Sequence, residues 1–255
     1  MVTGGYRMLQ GTACKGASVT DPGVSGWIHL VLFGAVVPYA ALRSKRVLDA
    51  NEPLPRLTAH LWFTMVNLTL FGVLSIAVAR AEGIPLSSSR MPPPVAWLAG
   101  AALLVVVVPL MSRVWRRAVE QRRRVVALFA PRGARERALW VATSAVAGAS
   151  EEITWRGVQF ALLGTLLGAP VAAAIIAAVM FGAAHVVQGV RAAGVAVVYA
   201  LVAQVLVWLA GSLYVAIAVH ATYDILAGLA YGRLAEEAGY FKDAPASTAD
   251  PENRS

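Results

Sequence analysis

Apolar residues in this chain gather into seven runs, at about residues 25 to 42, 58 to 79, 95 to 112, 138 to 166, 170 to 188, 194 to 210 and 212 to 231. At 1.5 Å per helical residue, each run is long enough, or nearly so, to cross a hydrocarbon core about 30 Å thick. The pattern predicts an all-α fold, a polytopic transmembrane helical bundle of about seven spans. The fourth run exceeds the roughly 20 residues a span needs, so its helix must tilt, kink or project from the bilayer. Ser87, Ser88, Ser89 and Met91-Pro92-Pro93-Pro94 mark a loop ahead of the third span, and the prolines stop any continuation of the second.

Composition agrees with the pattern. The 255 residues are 58% hydrophobic and only 14% charged, with a mean hydropathy of +0.64, which excludes an ordinary soluble domain. A net charge of +8 raises the question of nucleic acid. The basic residues, however, lie between the apolar runs and form no face with interleaved aromatics, so no nucleic-acid partner is expected. The loops after spans 1, 3 and 5, with the C-terminal tail, hold 17 of the 22 Lys and Arg residues. That bias predicts an outside N-terminus and a cytoplasmic C-terminus. The densest basic stretch, Arg113 to Arg137, includes Arg116, Arg117, Arg122, Arg123 and Arg124 and is expected to form a cytoplasmic elbow against anionic lipid headgroups.

The organisation expected is an N-terminal tail over 1–24, N-terminal transmembrane helices and a basic cytoplasmic loop over 25–137, a C-terminal helical core over 138–235, and a disordered cytoplasmic tail over 236–255 containing Pro245 and Pro251. The first 24 residues show no apolar signal-peptide core, so the first span is expected to direct insertion. Cys14, the single cysteine, excludes an intrachain disulfide and any multi-cysteine metal site. Heavy use of Ala, Val and Arg suggests a GC-rich bacterial genome, and hence a bacterial inner (plasma) membrane. Gly164 and Gly168 at GxxxG spacing, and the small run Ala172-Ala173-Ala174 with Ala177 and Ala178, predict close helix packing around the fourth span.

Three charges interrupt the fourth run, in Glu151-Glu152-Ile153-Thr154-Trp155-Arg156. Each ionisable group near a bilayer centre costs roughly 2.5 to 3.5 kcal/mol, so the three need partners or a task. Glu152 and Arg156 are four residues apart with the acid first, the favoured order for an ion pair. Glu151 points about 100° away around the helix and is expected to be the unpaired carboxylate, covered on one side by Trp155. Such a group is suited to general-base work; the plainer reading is a buried ion pair that ties helices together.

Two further polar sites follow. Phe181-Gly182-Ala183-Ala184-His185 sets an aromatic and a histidine one turn apart in the fifth span, and His220-Ala221-Thr222-Tyr223-Asp224 does the same with a histidine and a carboxylate in the seventh. A lone intramembrane histidine is commonly a satisfied core residue. Counting about 1.5 Å per residue, Glu151, His220 and Asp224 fall at overlapping depths near mid-membrane, with His185 nearer the cytoplasmic side.

Glu151-Glu152-x-x-x-Arg156, then Phe181-x-x-x-His185, then His220-x-x-x-Asp224, in order on successive spans, resembles the CPBP intramembrane proteases. These include CAAX prenyl endopeptidases and the bacteriocin-processing or immunity (Abi) proteins. The resemblance covers about residues 138 to 231, a CPBP-like core in the C-terminal half, and implies peptide-bond hydrolysis within the membrane. By motif position, it implies that Glu151 activates water together with His185 and that Arg156 holds Glu152. His220 and Asp224 would occupy the place that stabilises the oxyanion in relatives with Asn as the last motif residue. An ionised Asp224 cannot donate to an oxyanion, so it is either protonated, an orienting partner of His220, or a metal ligand. Glu151, His185, His220 and Asp224 offer donors suited to Zn2+, but no HExxH spacing fixes a ligand set, and a glutamate-activated water without an obligatory metal is favoured.

The substrate expected is a membrane-borne peptide or protein cut near an anchor or a lipidated tail. Two other functions fit the same residues. One is a proton-coupled transporter or relay through Glu151, His185, His220 and Asp224, against which no repeated half is visible. The other is a non-catalytic bacteriocin-immunity protein that keeps the motifs as ion-pair glue.

Overall fold

The computed structural model describes residues 21–50, 54–88 and 90–241. Cys14, Ser89, Pro245 and Pro251, with the rest of the two tails, lie outside the described residues. Among those described, seven long helices coincide with the seven apolar runs. They are α1 (Val24–Asp49), α2 (Leu57–Ala81), α3 (Pro94–Glu120), α4 (α-helical over Gly133–Glu151 and again over Phe160–Leu167), α5 (Pro170–Ala184), α6 (Val190–Ala210) and α7 (Tyr214–Glu237). Five of these, α1, α2, α3, α6 and α7, are long and apolar enough to cross a membrane. Large apolar side chains such as Phe63, Leu70, Val105, Val106 and Val198 point outward from them, as a lipid-facing surface requires.

Helix limits follow local chemistry. Pro94 and Pro170 sit in the first turns of α3 and α5, where a missing N–H costs nothing. Gly168 and Gly211 end α4 and α6 in the left-handed conformation, with φ of 58° and 65°. Beyond α2, Glu82 accepts hydrogen bonds from the Ser25 hydroxyl and from the backbone N–H groups of Gly23 (2.9 Å) and Gly26 (2.8 Å), which clips the start of α1 to the end of α2.

Three expectations are revised. The stretch from Arg113 to Arg137 is not one elbow: α3 carries Arg113, Arg116 and Arg117, a short 3-10 turn follows at Arg124–Leu128, and α4 begins at Gly133. The last helix runs to Glu237, so Glu236 belongs to α7 and pairs with Arg137 at 2.9 Å, and Arg132 lies over the Phe241 ring. The GxxxG pair does no packing. A Cβ at Gly164 would meet nothing within 4 Å, and Gly168 is a helix cap.

Close approach occurs at other glycines. A Cβ on Gly148 would stand 2.8 Å from the Ala221 backbone nitrogen, and one on Gly228 would stand 2.0 Å from Trp140. A Cβ on Gly72 would reach 2.7 Å from Ser150 Oγ. α4 is therefore gripped by α7 on one side and α2 on the other. Ala173, Ala174 and Ala177 of α5 share one core with Val158, Phe160, Leu162 and Leu163 of α4, the packing around the fourth span that the alanine run predicts, while α5 meets α6 closely at Gly182, against Val197 and Ala193. The length of α4 is resolved by a break in its winding: Glu152–Gln159 is a π-helical turn. α1 contains a second such turn at Leu32–Val36.

Candidate active site

All six motif residues come together where α4, α5 and α7 meet. Glu151 is the last residue of the α-helical part of α4 and Glu152 the first of its π turn, so the break falls between the two acids. π turns are rare and tend to mark functional positions, because the extra residue turns the following side chains away from the ordinary helical stripe.

Glu152 is completely buried and held from two directions. Arg156 Nη1 lies 3.2 Å from its Oε1, and His220 Nδ1 donates to the same oxygen at 2.7 Å. The close approach of Gly148 and Ala221 makes the second contact possible, since His220 adjoins Ala221 and Glu152 lies one turn beyond Gly148. The Arg156 guanidinium is itself sandwiched, with its carbon 4.3 Å from the Phe181 ring centroid and 5.4 Å from that of Tyr199. A buried ion pair is sustained only with such further partners. The ion pair predicted for Glu152 and Arg156 is therefore present.

Glu151 is free of that arrangement. Its Oε2 has no hydrogen-bond partner and lies 3.7 Å from His185 Nε2 and 3.8 Å from His220 Nε2. These separations are too long for direct hydrogen bonds and short enough for one bridging solvent molecule. Side-chain exposures of 17% for Glu151, 22% for His185 and 30% for Asp224, against 0% for Glu152, show which groups face the opening. On its other side Glu151 lines a cleft shared with Trp155, Phe33, Val37, Leu68 and Phe71. Trp155 covers this flank as expected, packed edge-on to Phe33 and Phe181.

Local hydrogen bonds orient each imidazole. His185 caps the C-terminus of α5, three residues before the end of the apolar run, and its Nδ1 donates to the Phe181 carbonyl at 2.8 Å. The neutral ring then presents the Nε2 lone pair to Glu151. His220 gives Nδ1 to Glu152 and turns Nε2 toward Glu151 and toward Asp224 Oδ2, at 3.6 Å from the latter. Among the described residues no group of three or more His, Cys, Asp or Glu is arranged to share a metal ion.

Tyr199 was not anticipated. It is half-buried in α6, with its ring 5.2 Å from His220 and its hydroxyl enclosed without closing a hydrogen bond. Nothing in its sequence neighbourhood, Val197-Val198-Tyr199-Ala200, distinguishes it from a span residue at a lipid interface. His29, Ser75 and Gln159 were likewise missed, because each is a lone polar residue in an apolar run.

No curated protein and no solved structure matches the chain. A family model does match, over residues 134–226, from the first turn of α4 into α7. That span contains all six motif residues, and it leaves α1 to α3 outside. The chain is an integral membrane protein, and the segment forming its polar cavity matches the Rce1-like family, type II CAAX prenyl endopeptidase, in agreement with the resemblance carried by the three motifs.

Proposed function

We propose that this protein is an intramembrane endopeptidase that hydrolyses a peptide bond near a membrane anchor or lipidated tail, using a water activated by Glu151 and His185. One observation carries the reading: a carboxylate oxygen without a partner, equidistant within 0.1 Å from two imidazole nitrogens, in a cavity partly open to the outside. A water between Glu151 and His185 can donate one hydrogen to each. Its oxygen then attacks the scissile carbonyl while the proton passes to Glu151, which returns it to the departing amine. His220, held by Glu152, presents Nε2 where a protonated ring would donate to the oxyanion. Asp224 lies against that same nitrogen and serves to orient the ring.

The proposed setting is a bacterial inner membrane with the basic ends of α3 and α4 toward the cytoplasm. The test is cleavage of peptides carrying an apolar or lipidated tail by the protein in liposomes, with and without a chelator. Cleavage that survives the chelator and is lost in Glu151→Gln and His185→Ala is the expected result. Cleavage abolished by the chelator and restored by Zn2+ would assign the same four side chains to a metal instead.

A further inference from the structure

A second buried polar chain, unused by the proposed reaction, runs through α1, α2 and the π turn of α4. His29 Nδ1 lies 2.9 Å from Gln159 Oε1, His29 Nε2 lies 3.0 Å from Ser75 Oγ, and Ser75 Oγ lies 2.9 Å from Thr154 Oγ1. None of the four residues is more than 2% exposed. The directions follow from the groups. An amide oxygen only accepts, so Nδ1 carries the imidazole proton; Nε2 is then an acceptor for the Ser75 hydroxyl, which in turn accepts from Thr154. Gln159 uses its amide nitrogen toward Met180 Sδ, at 3.3 Å.

Thr154 and Gln159 both belong to the π turn that begins at Glu152, and Thr154 lines the cleft beside Glu151. Both are tied to one imidazole of α1, Gln159 directly and Thr154 through Ser75 of α2. The two helices come close enough because small residues face the site. A Cβ at Gly34 would be 3.1 Å from Met180 Cε, and one at Gly72 would be 2.7 Å from Ser150 Oγ. Rewinding the turn to an ordinary α-helix would shift one flank relative to the other by one residue, about 100° of rotation. Either Glu151 and Glu152 or Gln159 would then lose its present partners. A polar side chain stranded in apolar surroundings is unfavourable, so the chain of hydrogen bonds opposes that rewinding.

We propose that His29, Ser75 and Gln159 are positioning residues: they fasten the π turn of α4 to α1 and α2 and so hold Glu151 and Glu152 in register with His185 and His220. His29 and Ser75 lie outside residues 134–226, so the N-terminal helices complete a site whose motifs are all in the C-terminal half. The inference rests on the catalytic reading for its effect on rate, but the fastening itself is measured without a substrate.

The experiment compares wild type, His29→Leu, His29→Gln, Ser75→Ala and Gln159→Met in lipid nanodiscs. Amide hydrogen exchange is followed over residues 150–160 and, as a control, over α7; kcat and KM are measured on a cleaved tail peptide. Leucine removes both hydrogen bonds of His29, whereas glutamine can donate to Gln159 and accept from Ser75. His29→Leu should speed exchange in 150–160 by roughly tenfold and leave α7 protected. It should lower kcat by up to about 100-fold with KM within about twofold, the signature of a displaced catalytic group. His29→Gln should recover most of both. Ser75→Ala and Gln159→Met should show the same pattern more weakly, and they carry the test if His29→Leu does not fold. Unchanged exchange in 150–160, or an equal rise throughout α7, would overturn the proposal. If no peptide is cleaved even by wild type, the exchange arm still decides the fastening while the catalytic reading fails separately.

Discussion

Glu151 Oε2 stands 3.7 Å from His185 Nε2 without a hydrogen-bond partner, while the adjacent acid, Glu152, is sealed against Arg156 and His220. Two neighbouring carboxylates of the same chemistry are thus given different work by a change of helical winding between them. Glu152→Gln should therefore act differently from Glu151→Gln. It removes the partner of a buried guanidinium and should lower the thermal midpoint in detergent as well as the rate, whereas Glu151→Gln should lower the rate alone.

Arg156→Met leaves Glu152 as a buried acid with only an imidazole beside it. Removing one partner of a buried pair costs about 3 to 5 kcal/mol, so the variant should unfold well below wild type in a thermal melt. Arg156→Lys, which keeps the charge but not the planar stack on Phe181, should recover part of the loss.

Asp224→Asn should keep cleavage within about tenfold of wild type, since an amide of the same shape keeps an oxygen near His220 Nε2 and can also donate to an oxyanion. Asp224→Leu should lose more, by removing the polar group beside His220 Nε2. Rates in liposomes with a tail peptide measure both.

Packing is tested by two glycines. Gly228→Ala would set a Cβ 2.0 Å from the Trp140 ring, whose Nε1 donates to the Asp224 carbonyl at 2.8 Å, and should cost roughly 1 to 3 kcal/mol. Gly164→Ala, with open space at its Cβ, should be neutral or stabilising by up to about 1 kcal/mol. Thermal unfolding of the purified variants distinguishes the two sites.

Glu82 provides a pH dependence at the end of the bundle where α1 begins. The Ser25 hydroxyl and two backbone N–H groups hold its carboxyl below the ordinary value of 4.5. A depressed native value means that the ionised acid favours the folded state above that pH, and that this contribution is lost as pH falls through the native value. The wild-type midpoint should drop more steeply than that of Glu82→Gln between pH 5 and 3, on the order of the carboxylate range.

The spans and the site were legible in the sequence to different degrees. Runs of Ala, Val and Leu fix the helices because length and hydropathy alone decide what can cross a bilayer, and charges such as Glu151 and Arg156 are conspicuous against them. Winding was not legible: nothing in Glu152–Gln159 announces a π turn, which depends on Thr154 and Gln159 finding partners on helices more than 75 residues away in sequence. The glycine contacts were misread for a related reason. GxxxG at Gly164 has the right spacing on a face that meets no helix, whereas Gly148 and Gly228 work singly against Ala221 and Trp140. Tyr199 and His29 were invisible because one polar atom in an apolar run carries no pattern.

The central claim is that Glu151 is the base acting on water, and the most direct measurement is the rate of tail-peptide release by wild type and Glu151→Gln reconstituted in the same liposomes at equal folded amount. The account predicts a fall of roughly 100- to 10,000-fold with an unchanged thermal midpoint. A Glu151→Gln variant that releases peptide at the wild-type rate would contradict it.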